Sequence, residues 1–100
     1  MNRWYVAQTH RRDEEKAAWH LRRQEFSVYL PRYLTRRRHA RRVDWVKAPL
    51  FPRYLFIEMD SEYTQWRCIN STFGVSRLVC NGYRPAPVPD GIVEDIVARS

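Results

Sequence analysis

The sequence predicts an α+β fold, a small and mostly antiparallel sheet with helices packed on it. Stretches that alternate with period two interleave with stretches of helical spacing, in the order strand, helix, strand, hairpin, strand, short helix, strand, helix. Aromatic residues make up 14% of the chain, which suits β structure. A hydrophobic fraction of 44% over 100 residues suffices for the core of one small domain and argues against global disorder.

The first strand is Trp4–Thr9, with Trp4, Val6 and Gln8 on one face and Tyr5, Ala7 and Thr9 on the other. A basic turn at His10-Arg11-Arg12 leads to a helix opened by Asp13, Glu14 and Glu15, acids that suit the positive end of the helix dipole. Its apolar stripe is Ala17, Ala18 and Leu21. Glu25 stands where a C-terminal glycine would be expected, so a left-handed helix end there is mildly strained. Phe26, Val28 and Leu30 alternate as a second strand that stops at Pro31, with Arg32–Thr35 as an extension. Tyr33–Lys47 reads as a long β-hairpin with a basic tip.

Pro49 and Pro52 confine the crossing into a strand over Tyr54–Asp60. Leu55, Ile57 and Met59 form its aliphatic face, and Tyr54, Phe56 and Glu58 the other. Ser61 is the expected N-cap of a short helix through Trp66, Ile69 and Asn70. A turn at Thr72-Phe73-Gly74 precedes a strand over Val75–Cys80. Pro85, Pro87 and Pro89 mark an extended link. Asp90 is the expected cap of a last helix with the stripe Ile92, Val93, Ile96 and Val97.

The net charge of +7 points to an acidic partner such as nucleic acid, and it is unevenly placed. Residues 1–50 carry 13 Lys and Arg against 5 Asp and Glu, whereas residues 51–100 carry 5 against 6. The polyanion-facing surface therefore belongs to the first half. Cys68 and Cys80 are the only cysteines. Without a C-x-x-C or a His pair at ligand spacing they do not form a zinc motif, and a reducing cytoplasm favours two free thiols. Neither a signal-peptide core nor an apolar run long enough to span a bilayer is present, so the chain reads as a cytoplasmic protein without a membrane.

Enzyme readings find little support, and no cofactor or metal is expected. There is no nucleophile elbow, Walker loop or H-E-x-x-H, and three glycines are too few for a phosphate-cradling loop. His10, His20 and His39 all lie in basic surroundings, a poor setting for a general base. Asn70-Ser71-Thr72 matches the glycosylation pattern but reads as a helix end. The run Arg36, Arg37, Arg38, Arg41 and Arg42 is either a solvated hairpin tip or a phosphate contact. Its self-repulsion, with no acid inside the run, favours the second. Lys16, His20 and Arg23 share one helix edge, and with His10, Arg11 and Arg12 make a second basic area, either solubilising or nucleic-acid-facing. Tyr54 and Phe56 are either core or a docking site for a protein partner.

These segments together resemble the N-terminal domain of the NusG family of transcription elongation factors. The carriers are WYVAQT at Trp4–Thr9, HLRRQ at His20–Gln24, PLFPRYLFIEMD at Pro49–Asp60, INSTFGVSRLV at Ile69–Val79 and PVPDGIVEDI at Pro87–Ile96. PLFPRYLF is closer to the RfaH-type paralogues. The resemblance implies a four-stranded antiparallel sheet flanked by helices, in a monomer that suppresses pausing and termination. Its partner would be RNA polymerase, bound at the clamp helices of the largest subunit through Phe51, Tyr54, Phe56, Val93 and Ile96.

In RfaH-type factors a face including the first helix also reads non-template DNA, and the matching positions are His20, Arg23, Gln24 and Thr72. His10 stands where a lysine would, and Phe73 where an arginine would, a change that suits stacking on a flipped base. Gln65-Trp66-Arg67 occupies the place of a polar contact to the second large subunit and departs from it completely. The resemblance further implies a KOW β-barrel domain beyond residues 1–100 that recruits ribosome or termination factor. The alternative reading is a basic RNA- or DNA-binding module, ribosome-associated, that acts without polymerase.

Overall fold

The computed structural model describes residues 1–100. Its centre is a four-stranded antiparallel sheet in the order β2-β5-β1-β6, formed by β1 (Arg3–Thr9), β2 (Ser27–Tyr29), β5 (Tyr54–Met59) and β6 (Val75–Leu78). β5 is an inner strand, with Tyr5 opposite Ile57 and Ala7 opposite Leu55 on one side, and Val28 opposite Ile57 on the other. The predicted alternation holds in both inner strands. Tyr5, Ala7, Leu55, Ile57 and Met59 are buried on one face, and α1 (Glu14–Arg23) lays Ala17, Ala18 and Leu21 against them. Ile69, Val75 and Leu78 complete this core, and Phe26, Val28 and Trp66 close its rim.

α1 ends as its sequence foretells. Glu25 adopts φ 70°, and the Glu25 and Phe26 amides donate to the carbonyls of Arg22 and Leu21, a Schellman closure with glutamate in the glycine position. Gly74 lies where the turn before β6 meets α1. A Cβ there would stand 2.8 Å from the Ala17 nitrogen, so only glycine fits at its φ of 87°.

Several local expectations are corrected. β2 ends at Tyr29, and Arg32 already belongs to the hairpin of β3 (Arg32–His39) and β4 (Arg42–Pro49). Ser61 does not cap a helix, because the helical turn begins only at Trp66 with Gln65 at its N-cap, and the Ser61 hydroxyl instead accepts from the Tyr5 phenol at 3.0 Å. The segment winds only as a 3-10 turn over Trp66–Ser71. The strand expected over Val75–Cys80 breaks after Leu78, and Cys80 pairs instead in a small ribbon of β7 (Cys80–Asn81) and β8 (Arg84–Pro85). The N-cap of α2 (Ile92–Ala98) is Gly91 and not Asp90, with the Glu94 carboxylate accepting from the Gly91 amide at 3.1 Å. Of the α2 stripe only Val93 is buried, while Ile92 and Val97 are exposed.

The hairpin pairs from Arg32 with Pro49 to His39 with Arg42 and forms its own two-stranded sheet. Ala40 and Arg41, at φ 49° and 69°, make the two-residue left-handed turn that matches strand twist. The radius of gyration of 14.7 Å exceeds the ~13 Å of a compact domain of this length, as a projecting arm requires.

Candidate functional site

The second face of the sheet is aromatic. Trp4, Val6 and Gln8 of β1 lie opposite Glu58, Phe56 and Tyr54 of β5, and Tyr29 of β2 lies opposite Phe56. The rings run in series: Trp4 to Tyr29 at 6.5 Å, Tyr29 to Phe56 at 6.3 Å, and Phe56 to Phe51 at 6.0 Å between centroids. The α2 end reaches this face, where the Tyr29 phenol and Ser100 hydroxyl are hydrogen-bonded at 3.1 Å. Phe56 is 7% exposed, whereas Phe51 and Tyr54 are each 40% exposed. Phe56 and Val93 are thus buried, Ile96 is half-buried, and Phe51 and Tyr54 are the accessible rings of the five expected docking residues. Glu58 lies opposite Trp4 and Ser27, at the end of β5 away from Phe51, and forms no ion pair with the arginines of the hairpin.

Phe51 and Tyr54 owe their position to the turn before β5. Arg53 is left-handed at φ 73°, its amide donates to the Glu14 carboxylate at 2.9 Å, and its carbonyl accepts from the Thr9 amide at 2.7 Å. The Tyr54 amide closes the turn on the Phe51 carbonyl at 3.0 Å. Glu14 is itself buried. An acid placed in the first turn of a helix, where the dipole favours it, therefore also braces the aromatic display.

The helix face gathers a second set. His20 lies 4.8 Å from Trp19 and 5.3 Å from Phe73, and the Arg23 guanidinium sits 4.9 Å over the Trp19 ring. Trp19 is 54% exposed and Phe73 70%. Trp19 is the member missed from the sequence. It sits on the exposed side of α1 beside His20, and its spacing from Arg23 at i,i+4 is the signal that could have found it. His10, Arg11, Lys16 and Arg23 are exposed. Thr72 is buried, its hydroxyl donating to the Cys68 carbonyl at 2.9 Å and accepting from the Gln24 amide at 2.8 Å. Thr72 is thus enclosed by these two bonds in the free domain. Gln24 also bonds back to the His20 carbonyl at 3.3 Å, which leaves its own carbonyl oxygen free to accept.

The hairpin arginines Arg36, Arg37, Arg38, Arg41 and Arg42 are exposed and lie apart from the three ion pairs of the chain. Gln65 and Arg67 are exposed, while Trp66 packs on the core with the Arg67 guanidinium 4.8 Å over its ring. Arg67 joins Arg3, Tyr83 and Arg84 around an open cleft of about 930 Å³ whose acidic side is Asp60 and Glu62. The N-terminal ammonium bonds Asp60 and, with the Glu62 amide, holds its carboxyl below the usual carboxylate range.

A sheet with a core on one face, accessible aromatics on the other and an exposed basic arm has the layout of a small binding module. The family model described as "Transcription termination factor nusG" matches residues 2–97, and the chain belongs to that family. The Thermus thermophilus transcription termination/antitermination protein NusG is 31% identical over 97% of the chain, which spans 61% of that protein. A solved structure described as "Domain interaction in Thermotoga maritima NusG" superposes with a TM-score of 0.63 at 25% identity, over 90% of this chain and 52% of that one. The four-stranded α+β fold is thus the one shared with NusG. No helix of the chain is long and apolar enough to cross a membrane.

Proposed function

We propose that this domain docks on RNA polymerase at the clamp helices of the largest subunit, suppresses pausing and termination, and touches non-template DNA in the elongation complex. The observation that carries the reading is the pair Phe51 and Tyr54, large rings held 40% exposed by a turn that three hydrogen bonds brace. An apolar display fixed in place suits a protein partner, because burying one such side chain contributes roughly 1.5–3 kcal/mol. The basic helix face with Trp19, His20, Arg23 and Phe73 then takes exposed bases of the non-template strand, and the hairpin arginines take phosphates. Trp66 and Arg67 line the cleft available to the second large subunit, and Gln65 is exposed beside them.

The test is a polymerase pull-down with Phe51→Ala and Tyr54→Ala together, paired with a pausing assay. Phe56→Ala is the wrong probe, since truncating a buried ring costs about 3–5 kcal/mol of stability. Loss of binding by a folded double variant is the expected result, and unchanged binding would falsify the docking. The unpaired arginines of the hairpin favour a second reading, a basic module acting without polymerase. That reading requires tight, steeply salt-dependent binding to free nucleic acid that the aromatic double variant leaves intact.

A further inference from the structure

The two faces of the hairpin differ in a way its composition does not reveal. Residues directly opposite one another share a face, so Leu34 with Lys47, Arg36 with Trp45, and Arg38 with Val43 form one side. Leu34, Trp45 and Val43 make an apolar row there, with Trp45 66% exposed, and Arg36, Arg38 and Lys47 interleave with them. No carboxylate occupies this side. The opposite side sets Asp44 against Arg37, and its aromatic ring, Tyr33, lies near the base. No other element packs substantially on either strand of the arm.

An apolar row left in water on a free-standing ribbon marks a contact surface, and the cations between its members specify an anionic partner. Both features are met by a nucleic acid whose bases are unpaired. A duplex hides the flat faces of its bases, whereas a single strand offers them for stacking while its phosphates run alongside. From Leu34 to Arg38 the face extends about 13 Å, the span of a few nucleotides. Resting on the reading of the hairpin as a nucleic-acid contact, we propose that this face is a single-strand platform. Trp45 stacks on a base, Val43 and Leu34 cover its neighbours, and Arg36, Arg38 and Lys47 hold the flanking phosphates.

The test measures binding of labelled thymidine and uridine oligomers of about 12 nucleotides, and of a duplex of the same length, at several salt concentrations. It is made in a Trp19→Ala background, so that the α1 face does not mask the arm. Trp45→Ala should weaken single-strand binding roughly five- to a hundredfold without changing the salt slope, and leave duplex binding as it was. Tyr33→Ala, on the other side, should change little. Losses on both oligomers, or on one alone, uphold the platform and show whether DNA or RNA occupies it.

Equal losses for Trp45→Ala and Tyr33→Ala, or an equal loss on duplex, overturn it. Arg36→Gln with Arg38→Gln separates this proposal from the reading beneath it. If that pair lowers affinity and salt slope while Trp45→Ala does nothing, the arm still meets phosphates but the platform is wrong. If neither matters, both fail. Circular dichroism of each variant guards against loss of the hairpin.

Discussion

Gly74→Ala tests how closely the turn before β6 must approach α1. The new methyl would stand 2.8 Å from the Ala17 nitrogen and 3.0 Å from its Cα. Both are helix backbone atoms in a buried stretch, so no side-chain rotation relieves the contact. Two terms add: a left-handed conformation costs an L-residue about 1–2 kcal/mol, and overpacking a close contact about 1–3 kcal/mol. Reduced freedom of the unfolded chain offsets about 0.4–1 kcal/mol. The expected loss is therefore about 1–4.5 kcal/mol, centred near 3 kcal/mol. Gly82 carries the first term without the second, because it is left-handed at φ 66° with nothing within 4 Å of its missing Cβ. Gly82→Ala should cost about 1 kcal/mol or less. Urea unfolding at equilibrium reads both, with the m-value as a check on the two-state assumption. Ala17→Gly should not rescue Gly74→Ala, since it removes the methyl and leaves the nitrogen. The reasoning is refuted if the two alanine variants lie within about 0.5 kcal/mol of each other. A large loss would also bear on the candidate site, for the same turn holds Phe73 against His20.

Glu25→Gly relieves a left-handed residue at the end of α1 and should raise stability by about 1 kcal/mol in the same urea assay. Thr9 is fully buried and its hydroxyl has no hydrogen-bond partner, so Thr9→Val should stabilise by about 1 kcal/mol, read as a higher denaturation midpoint. Glu14→Ala frees the Arg53 amide and should speed hydrogen exchange at Arg53 and Tyr54 more than at Leu55, whereas Glu14→Gln should restore most of the protection. Asp60 should titrate below its ordinary value of 3.8 when followed by carboxyl NMR, and acetylating the N-terminus should move it back up. Its folded value is the depressed one. Its contribution to stability is therefore complete above 3.8 and is lost as pH falls through the folded value.

What was legible in the sequence is what local periodicity dictates. Alternation in Trp4–Thr9 and Tyr54–Met59 placed the core face residue by residue, and the Ala17, Ala18, Leu21 stripe turned α1 onto it. Even the strain at Glu25 could be read, because a helix end needs a left-handed residue and no glycine was there. The failures have a common origin in partners distant along the chain. Ser61 looks like a cap until the helix proves to start only at Trp66, and the burial of Thr72 comes from its bonds with Gln24 and Cys68. Phe56 illustrates the limit most clearly. Its face was correct, but how far a ring is covered depends on neighbours brought in by the fold, here Tyr29 of the adjacent strand and Phe51. Trp19 escapes notice because an isolated aromatic on a polar helix side belongs to no apolar stripe, and its one local signal is the i,i+4 spacing from Arg23. Its meaning comes only from His20, Arg23 and Phe73 around it.

α1 connects the two surfaces on which the proposed function depends. Its first turn supplies Glu14, which fixes the Arg53 turn and with it Phe51 and Tyr54. Its last turns supply His20, Arg23 and Gln24, and its middle receives Gly74, which sets the position of Phe73. A helix of ten residues is about 15 Å long, so the aromatic display and the basic patch stand at fixed separation on one rigid element. The hairpin lacks that coupling, since it forms its own sheet and joins the domain at its base through the Leu50 amide on the Pro31 carbonyl and through Arg32 on Glu15. Position is thus built into the Phe51/Tyr54 and helix surfaces, whereas the arm is tied to the domain only at its base. If the proposed contacts hold, the two surfaces tied to α1 would set register on a partner, and the arm, built outside the central sheet, would contribute its basic face separately.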